Sequence, residues 1–228
     1  MTRGRWAVVA AVVVLLVAGG VALWRAQQEP PLCEGAREAR DALLERPFAG
    51  GDARSVFVVG DSYSQGTGPD GPDGAWPARL AALARATVTV DGMSSTGYTT
   101  GGFCEGEPVT YGDRLAGDDL DGADVLVLQG SVNDGLAGDP DAVRSAAGDL
   151  LGEVDDVGRV LLVGPPDIPA LEPAQLQTID RGLADAAGEH GATYLSLLGA
   201  GIPIGDDGVH PTDAGQQRIA ELVATALG

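Results

Sequence analysis

The chain contains no lysine. All 14 basic residues are arginine, against 33 aspartates and glutamates, for a formal net charge of −19 over 228 residues. Without a basic stripe to displace phosphate counterions, a general nucleic-acid binder is excluded, and electrostatic docking onto anionic lipid is disfavoured. Histidine is also scarce, occurring only at positions 190 and 210. Chemistry that needs an imidazole therefore has two candidates. The only cysteines are Cys33 and Cys104. Two thiols without a nearby histidine make a poor metal site, so no metal is expected. The acidic stretches Asp70–Gly74 and Asp118–Asp121 lack the ligand periodicity of a calcium loop and read as solvated turns. No internal repeat is visible. With 44% hydrophobic and 21% charged residues, the composition is that of a globular protein rather than a disordered one.

One feature is plentiful at the amino terminus. Trp6 to Trp24 is a run of 19 residues without a charge. At about 1.5 Å per residue, such a helix approximates the ~30 Å hydrocarbon core of a bilayer. A tryptophan stands at each end, and Arg3 and Arg5 precede the run. The positive-inside bias then leaves the rest of the chain outside, as a single-pass protein of the cell membrane. The alternative is a cleaved signal peptide and a secreted product, with Ala18 and Gly20 as small residues near a cleavage site. In either case the remainder is exported, and two cysteines in an exported chain read as one disulfide, Cys33–Cys104. Residues 29–228 carry 11 arginines and all 33 acids, a net charge of −22, which suits solubility.

The expected organisation is a tail plus anchor or signal segment over 1–28, a linker and short helix over 29–54, and one domain over 55–228. The linker helix, Ala36–Arg46, is ended by Pro47 and Gly50-Gly51. Beyond it, apolar runs at Ser55–Gly60, Thr87–Asp91, Asp124–Gln129, Arg159–Gly164 and, more weakly, Ala192–Leu197 predict strands buried on both faces. Helical patterns alternate with them at Ala75–Arg85, Asp141–Gly152, Glu172–Glu189 and Thr212–Leu227. Alternation of this kind means an α/β domain with a parallel sheet covered on both faces. Ligands in such sheets bind beyond the carboxyl ends of the strands.

Those ends are chemically distinctive. Gly60-Asp61-Ser62 follows the first strand, Gly92 to Gly97 the second, and Gly130-Ser131-Val132-Asn133-Asp134 the third; Asp207-Gly208-Val209-His210-Pro211-Thr212 precedes the last helix. A serine hydroxyl becomes a useful nucleophile when a base removes its proton, and histidine is the usual base near neutral pH. An aspartate can fix the tautomer of that base, and Asp207 lies three residues before His210. Oxyanion donors are available from the backbone N–H groups of Ser62 and Gly97 and the side-chain amide of Asn133. His190, before Gly191, suits a helix C-terminus instead. Trp76 reads as packing, and Asp134 as a structural turn residue.

This set resembles the SGNH (GDSL-like) hydrolase family over about 55–228, through GDS at the first strand end and DGVHPTDAG at the last helix. The resemblance implies a three-layer α/β/α sandwich with five parallel strands in flavodoxin-like order. It implies Ser62 as nucleophile, His210 as base, Asp207 as its partner, and Ser62, Gly97 and Asn133 as the oxyanion hole, with no cofactor. Two departures stand out: Tyr63 replaces the signature leucine, and Ser131 occupies the usual glycine position two residues before Asn133. The expected activity is hydrolysis of a carboxylic ester through an acyl-enzyme, on a small-molecule, lipid or glycan ester of the envelope, by a monomer held at the membrane through residues 6–24. An acyltransferase using the same acyl-enzyme, or a non-catalytic envelope-binding module, is the alternative.

Overall fold

The computed structural model describes residues 31–68, 70–104, 106–154 and 157–228. Six strands form one sheet: β1 (Phe48–Ala49), β2 (Ser55–Gly60), β3 (Thr87–Gly92), β4 (Val125–Gln129), β5 (Val160–Pro166) and β6 (Thr193–Leu197). They pair in the order β1-β3-β2-β4-β5-β6. β2 through β6 are mutually parallel in the flavodoxin-like order, and β1 runs antiparallel to β3.

β2, β4 and β5 are apolar at consecutive positions because each has two buried faces, whereas β3 alternates half-buried threonine with buried valine and β6 is largely half-buried, against the expectation of burial on both faces. Val56 and Val58 enter one core with Val125, Val127, Leu161 and Val163. Phe57 and Val59 enter the other with Leu126, Leu128 and Leu162. The first core is closed by α4 (Trp76–Ala84) and α9 (Asp213–Leu227), through Leu80, Ile219 and Val223; the second by α7 (Val143–Gly152) and α8 (Pro173–Glu189), through Ala147, Ile179 and Leu183. The apolar side chains recur on these helices at three- and four-residue spacing, as an amphipathic helix requires. The result is the expected three-layer sandwich. Short helices fill the loops at the strand ends: α2 (Ser62–Gln65) and α3 (Gly71–Gly74) after β2, α5 (Tyr111–Leu115) after β3, and α6 (Asn133–Leu136) after β4.

Three further expectations are corrected. The sheet has six strands rather than five, because the two-residue β1 is too short to leave a hydropathy signal. It pairs with β3 through Phe48 and Ala49, where the preceding helix delivers the chain to that edge. That helix, α1 (Pro31–Leu44), begins five residues earlier than its apolar spacing suggests; proline is well suited to a first helical turn. Asp118 is not a solvated turn residue: its side chain is 5% exposed and bonds Arg40 at 2.8 Å. Burial, then the neighbouring Asp91 carboxyl, pushes its pKa up to about 8.

Other details agree with expectation. Trp76 is fully buried, and His190 ends α8 ahead of a left-handed Gly191. Cys33 and Cys104 form a disulfide that joins α1 to the turn at Gly102–Cys104, with Cα atoms 5.0 Å apart. The apolar run 6–24 lies outside the described residues, and with it the choice between anchor and leader. Among the described residues no helix is long and apolar enough to cross a membrane.

Candidate active site

The chain leaves β2 at Gly60 and turns at once into α2. Asp61 caps this helix, its Oδ1 accepting from the Tyr63 N–H at 2.9 Å. The turn is possible because two glycines let α2 lie against the strand ends. A Cβ on Gly60 would sit 2.2 Å from Ser64 Oγ, and one on Gly92 would sit 2.6 Å from the Gln65 backbone nitrogen. Ser62, 5% exposed, is the first helical residue, so its N–H has no partner within the helix. Asp61 is completely buried, and burial pushes its pKa up to about 6 against the opposing pull of the Tyr63 N–H.

His210 reaches Ser62 from a loop before α9. Its Nε2 is 3.0 Å from Ser62 Oγ, and its Nδ1 is 2.7 Å from Asp207 Oδ2. With Nδ1–H facing the carboxylate, Nε2 presents the lone pair that accepts the serine O–H. Asp207 also orders its own loop: Oδ1 accepts the backbone N–H groups of Val209 and His210, each at 2.9 Å. Those bonds, the Val209 N–H first and then the His210 side chain, hold Asp207 down at about 2. The loop closes on itself, with Gly205 N–H donating to the His210 carbonyl at 2.8 Å. It is held from outside by Ala170, whose N–H donates to Gly208 at 3.1 Å.

Gly97 and Asn133 come from the ends of β3 and β4. The Asn133 side-chain amide donates to the Thr96 carbonyl at 2.9 Å, which leaves its second hydrogen free for another acceptor. The Gly97 N–H donates to the Thr100 carbonyl at 2.9 Å, so it is engaged within its own loop. The reason for glycine at 97 is the buried Asp134 carboxylate, which a Cβ would meet at 2.6 Å. Asp134 accepts from the N–H groups of Tyr98 and Thr99 and from the Thr99 hydroxyl at 2.7–3.2 Å. It thereby fastens the Gly97 loop to α6, the structural role its sequence context suggests.

Two further residues bear on the site. The Tyr63 hydroxyl donates to the Val209 carbonyl, next to His210. Arg114, 4% exposed, ion-pairs with Asp91 and donates to the carbonyls of Gly60 and Asp91 at 3.0 Å and to Thr96 Oγ1 at 3.3 Å. One guanidinium thus ties the end of β2 to the loop that carries Gly97. Asp91, pushed up by burial, is brought down overall by Arg114 and then Arg40. Neither role leaves a trace in a linear motif, because the partners are backbone carbonyls or distant carboxylates.

Comparison with known proteins gives a family and a fold. Residues 58–218 match the model of the GDSL-like lipase/acylhydrolase family. A search of curated proteins found no match. Among solved structures, a carbohydrate acetylesterase from Sinorhizobium meliloti superposes with a TM-score of 0.60 at 19% identity, covering 76% of this chain and 98% of its own. The aryl esterase of M. smegmatis gives 0.61 at 20%, covering 77% and 98%. A family two carbohydrate esterase from Clostridium thermocellum, in complex with cellohexaose, gives 0.62 at 17%, covering 78% and 64%. The family match and the fold make this chain a member of the GDSL-like lipase/acylhydrolase family, a serine hydrolase of carboxylic esters.

Proposed function

We propose that Ser62 is the nucleophile, His210 the general base, and Asp207 the group that orients it, in an exported esterase that removes short acyl groups from neutral envelope glycans. The observation that carries this reading is the unbroken relay of Ser62 Oγ, His210 Nε2, His210 Nδ1 and Asp207 Oδ2 at 3.0 and 2.7 Å. Ser62 Oγ attacks the acyl carbon while His210 Nε2 takes its proton. The oxyanion is met by the Ser62 N–H and the free amide hydrogen of Asn133; the Gly97 N–H can join only by giving up Thr100. His210 then passes the proton to the departing alcohol oxygen as the ester C–O bond breaks. Water enters and repeats the sequence: His210 takes its proton, its oxygen attacks the acyl carbon, and the proton returns to Ser62 Oγ with release of the acid.

Two observations support a neutral sugar as the alcohol portion. A cleft of about 430 Å³ beside His210 is lined in part by Thr67, Asp70 and Asp206 and by Asp213, which pairs with Arg79; no arginine lines it, so Asp70 and Asp206 disfavour anions there. Carbohydrate esterases also appear among the structural neighbours. The apolar run 6–24 with its preceding arginines supports a location at the membrane, and the Cys33–Cys104 disulfide supports export.

A fluorophosphonate probe followed by peptide mass mapping tests the assignment. The expected label is on Ser62, and the folded Ser62→Ala protein should lose hydrolysis of 4-nitrophenyl acetate. Label on another residue, or wild-type turnover by Ser62→Ala, would overturn it.

A further inference from the structure

Among the described residues, two hydrogen bonds join α2 to the loop that carries His210. One is the Ser62–His210 bond itself. The other runs from the Tyr63 hydroxyl to the Val209 carbonyl, across a separation of 146 residues. Tyr63 is fully buried, and its ring lies 6.0 Å from the imidazole, centroid to centroid, at 56°. Burial, then the nearby Asp61 and Asp207 carboxylates, holds the phenol well above its ordinary pKa, so it stays a donor at any working pH.

The two bonds differ in what the reaction does to them. In the free enzyme the serine O–H donates to His210, and the nucleophile registers its own base. Once Ser62 Oγ is acylated it has no hydrogen left to donate. His210 must then accept a proton from water, at a moment when the direct link to α2 has gone. The Tyr63 bond involves neither reacting atom and persists. From this geometry we infer that Tyr63 is a positioning residue for deacylation: it holds the base loop in register with α2 while Ser62 is esterified. The inference rests on the assignment of Ser62 and His210 above.

The test is Tyr63→Phe, which keeps the ring and removes one hydroxyl. With 4-nitrophenyl acetate, kcat/KM reports steps through acylation, whereas kcat includes deacylation. The expected result is a fall in kcat of about 3- to 10-fold, the loss of one neutral hydrogen bond, with kcat/KM within about 2-fold of wild type. Rapid-quench mass spectrometry should show a larger steady-state fraction of acetyl-Ser62 than in the wild type. Tyr63→4-aminophenylalanine, which restores a donor at the same place, should recover kcat. An equal fall in kcat and kcat/KM, or no change in either, overturns the inference. So does a Tyr63→Phe protein that fails to fold, since the hydroxyl would then serve the fold rather than the acyl-enzyme. Failure of the serine assignment is seen separately, as absence of probe on Ser62 in the unmutated protein.

Discussion

Asp61 and Asp207 belong to one site, yet their environments drive them in opposite directions. Asp61 is sealed from water and raised from 3.8 to about 6, while Asp207 is half-exposed and held near 2 by donors. The consequences for stability have opposite signs. A raised carboxyl binds its proton more tightly in the native state, so the Asp61 contribution is complete below its ordinary pKa and is lost as pH rises through about 6. The Asp207 contribution is present above its ordinary value and lost only as pH falls through about 2. Asp61→Asn keeps the capping oxygen but removes the titration. Relative to wild type it should gain on the order of 3 kcal/mol between pH 4 and pH 7, read from denaturation midpoints at the two values. A difference that does not change with pH would show that Asp61 does not titrate in that window. Ser62, Asp207 and His210 could be singled out as a set because each sits in a short block whose residue types suggest a role, and the fold brings their side chains within hydrogen-bond reach of one another. Tyr63 and Arg114 were not, because what they bind is a carbonyl or carboxylate that only the fold brings near.

Elements obey the same division. β2, β4 and β5 could be read from hydropathy because a strand buried on both faces must be apolar at consecutive positions, whereas β3 and β6 carry threonine or serine on half-buried positions and give a weaker signal. β1 could not, since two residues have no periodicity and their place depends on where α1 ends. The start of α1 was hidden by Pro30-Pro31, which suits a linker and a first helical turn equally well. Asp118 looked solvated because acidic turns usually are; its burial follows from Arg40 of α1 crossing over β3. The disulfide holds α1 in that position, closing a loop across 71 residues. In the chain-entropy model such a closure stabilises by about 4 kcal/mol. Complete reduction should therefore lower the Tm by roughly 10 °C, measured beside a titration showing two exposed thiols. An unchanged Tm after full reduction would mean that the packing of α1 alone suffices.

At the scale of the molecule, charge governs what can approach. Residues 29–228 carry −22; of their acids, Asp70 and Asp206 line the cleft beside His210, without an arginine in that lining. An aryl ester bearing a free carboxylate should therefore have a lower kcat/KM than its neutral isostere in dilute buffer. The gap should narrow as added salt shortens the Debye length to about 3 Å near 1 M. A ratio indifferent to salt would show that the long-range field does not select the substrate. The same view of the whole molecule gives a direction to the amino terminus. Cys33 is bound to a turn beyond the carboxyl end of β3, and the Ala36 carbonyl accepts from Gln65 of α2 at 3.3 Å. The chain thus enters the domain on the rim that carries Ser62 and His210 and runs along α1 toward the opposite end of the sheet, where Ala49 meets Thr87. Seven residue steps separate Trp24 from Pro31, a leash of at most about 25 Å. If the run 6–24 is retained as an anchor, so short a leash would hold the rim beside Cys33, and with it Ser62 and His210, close to the bilayer surface.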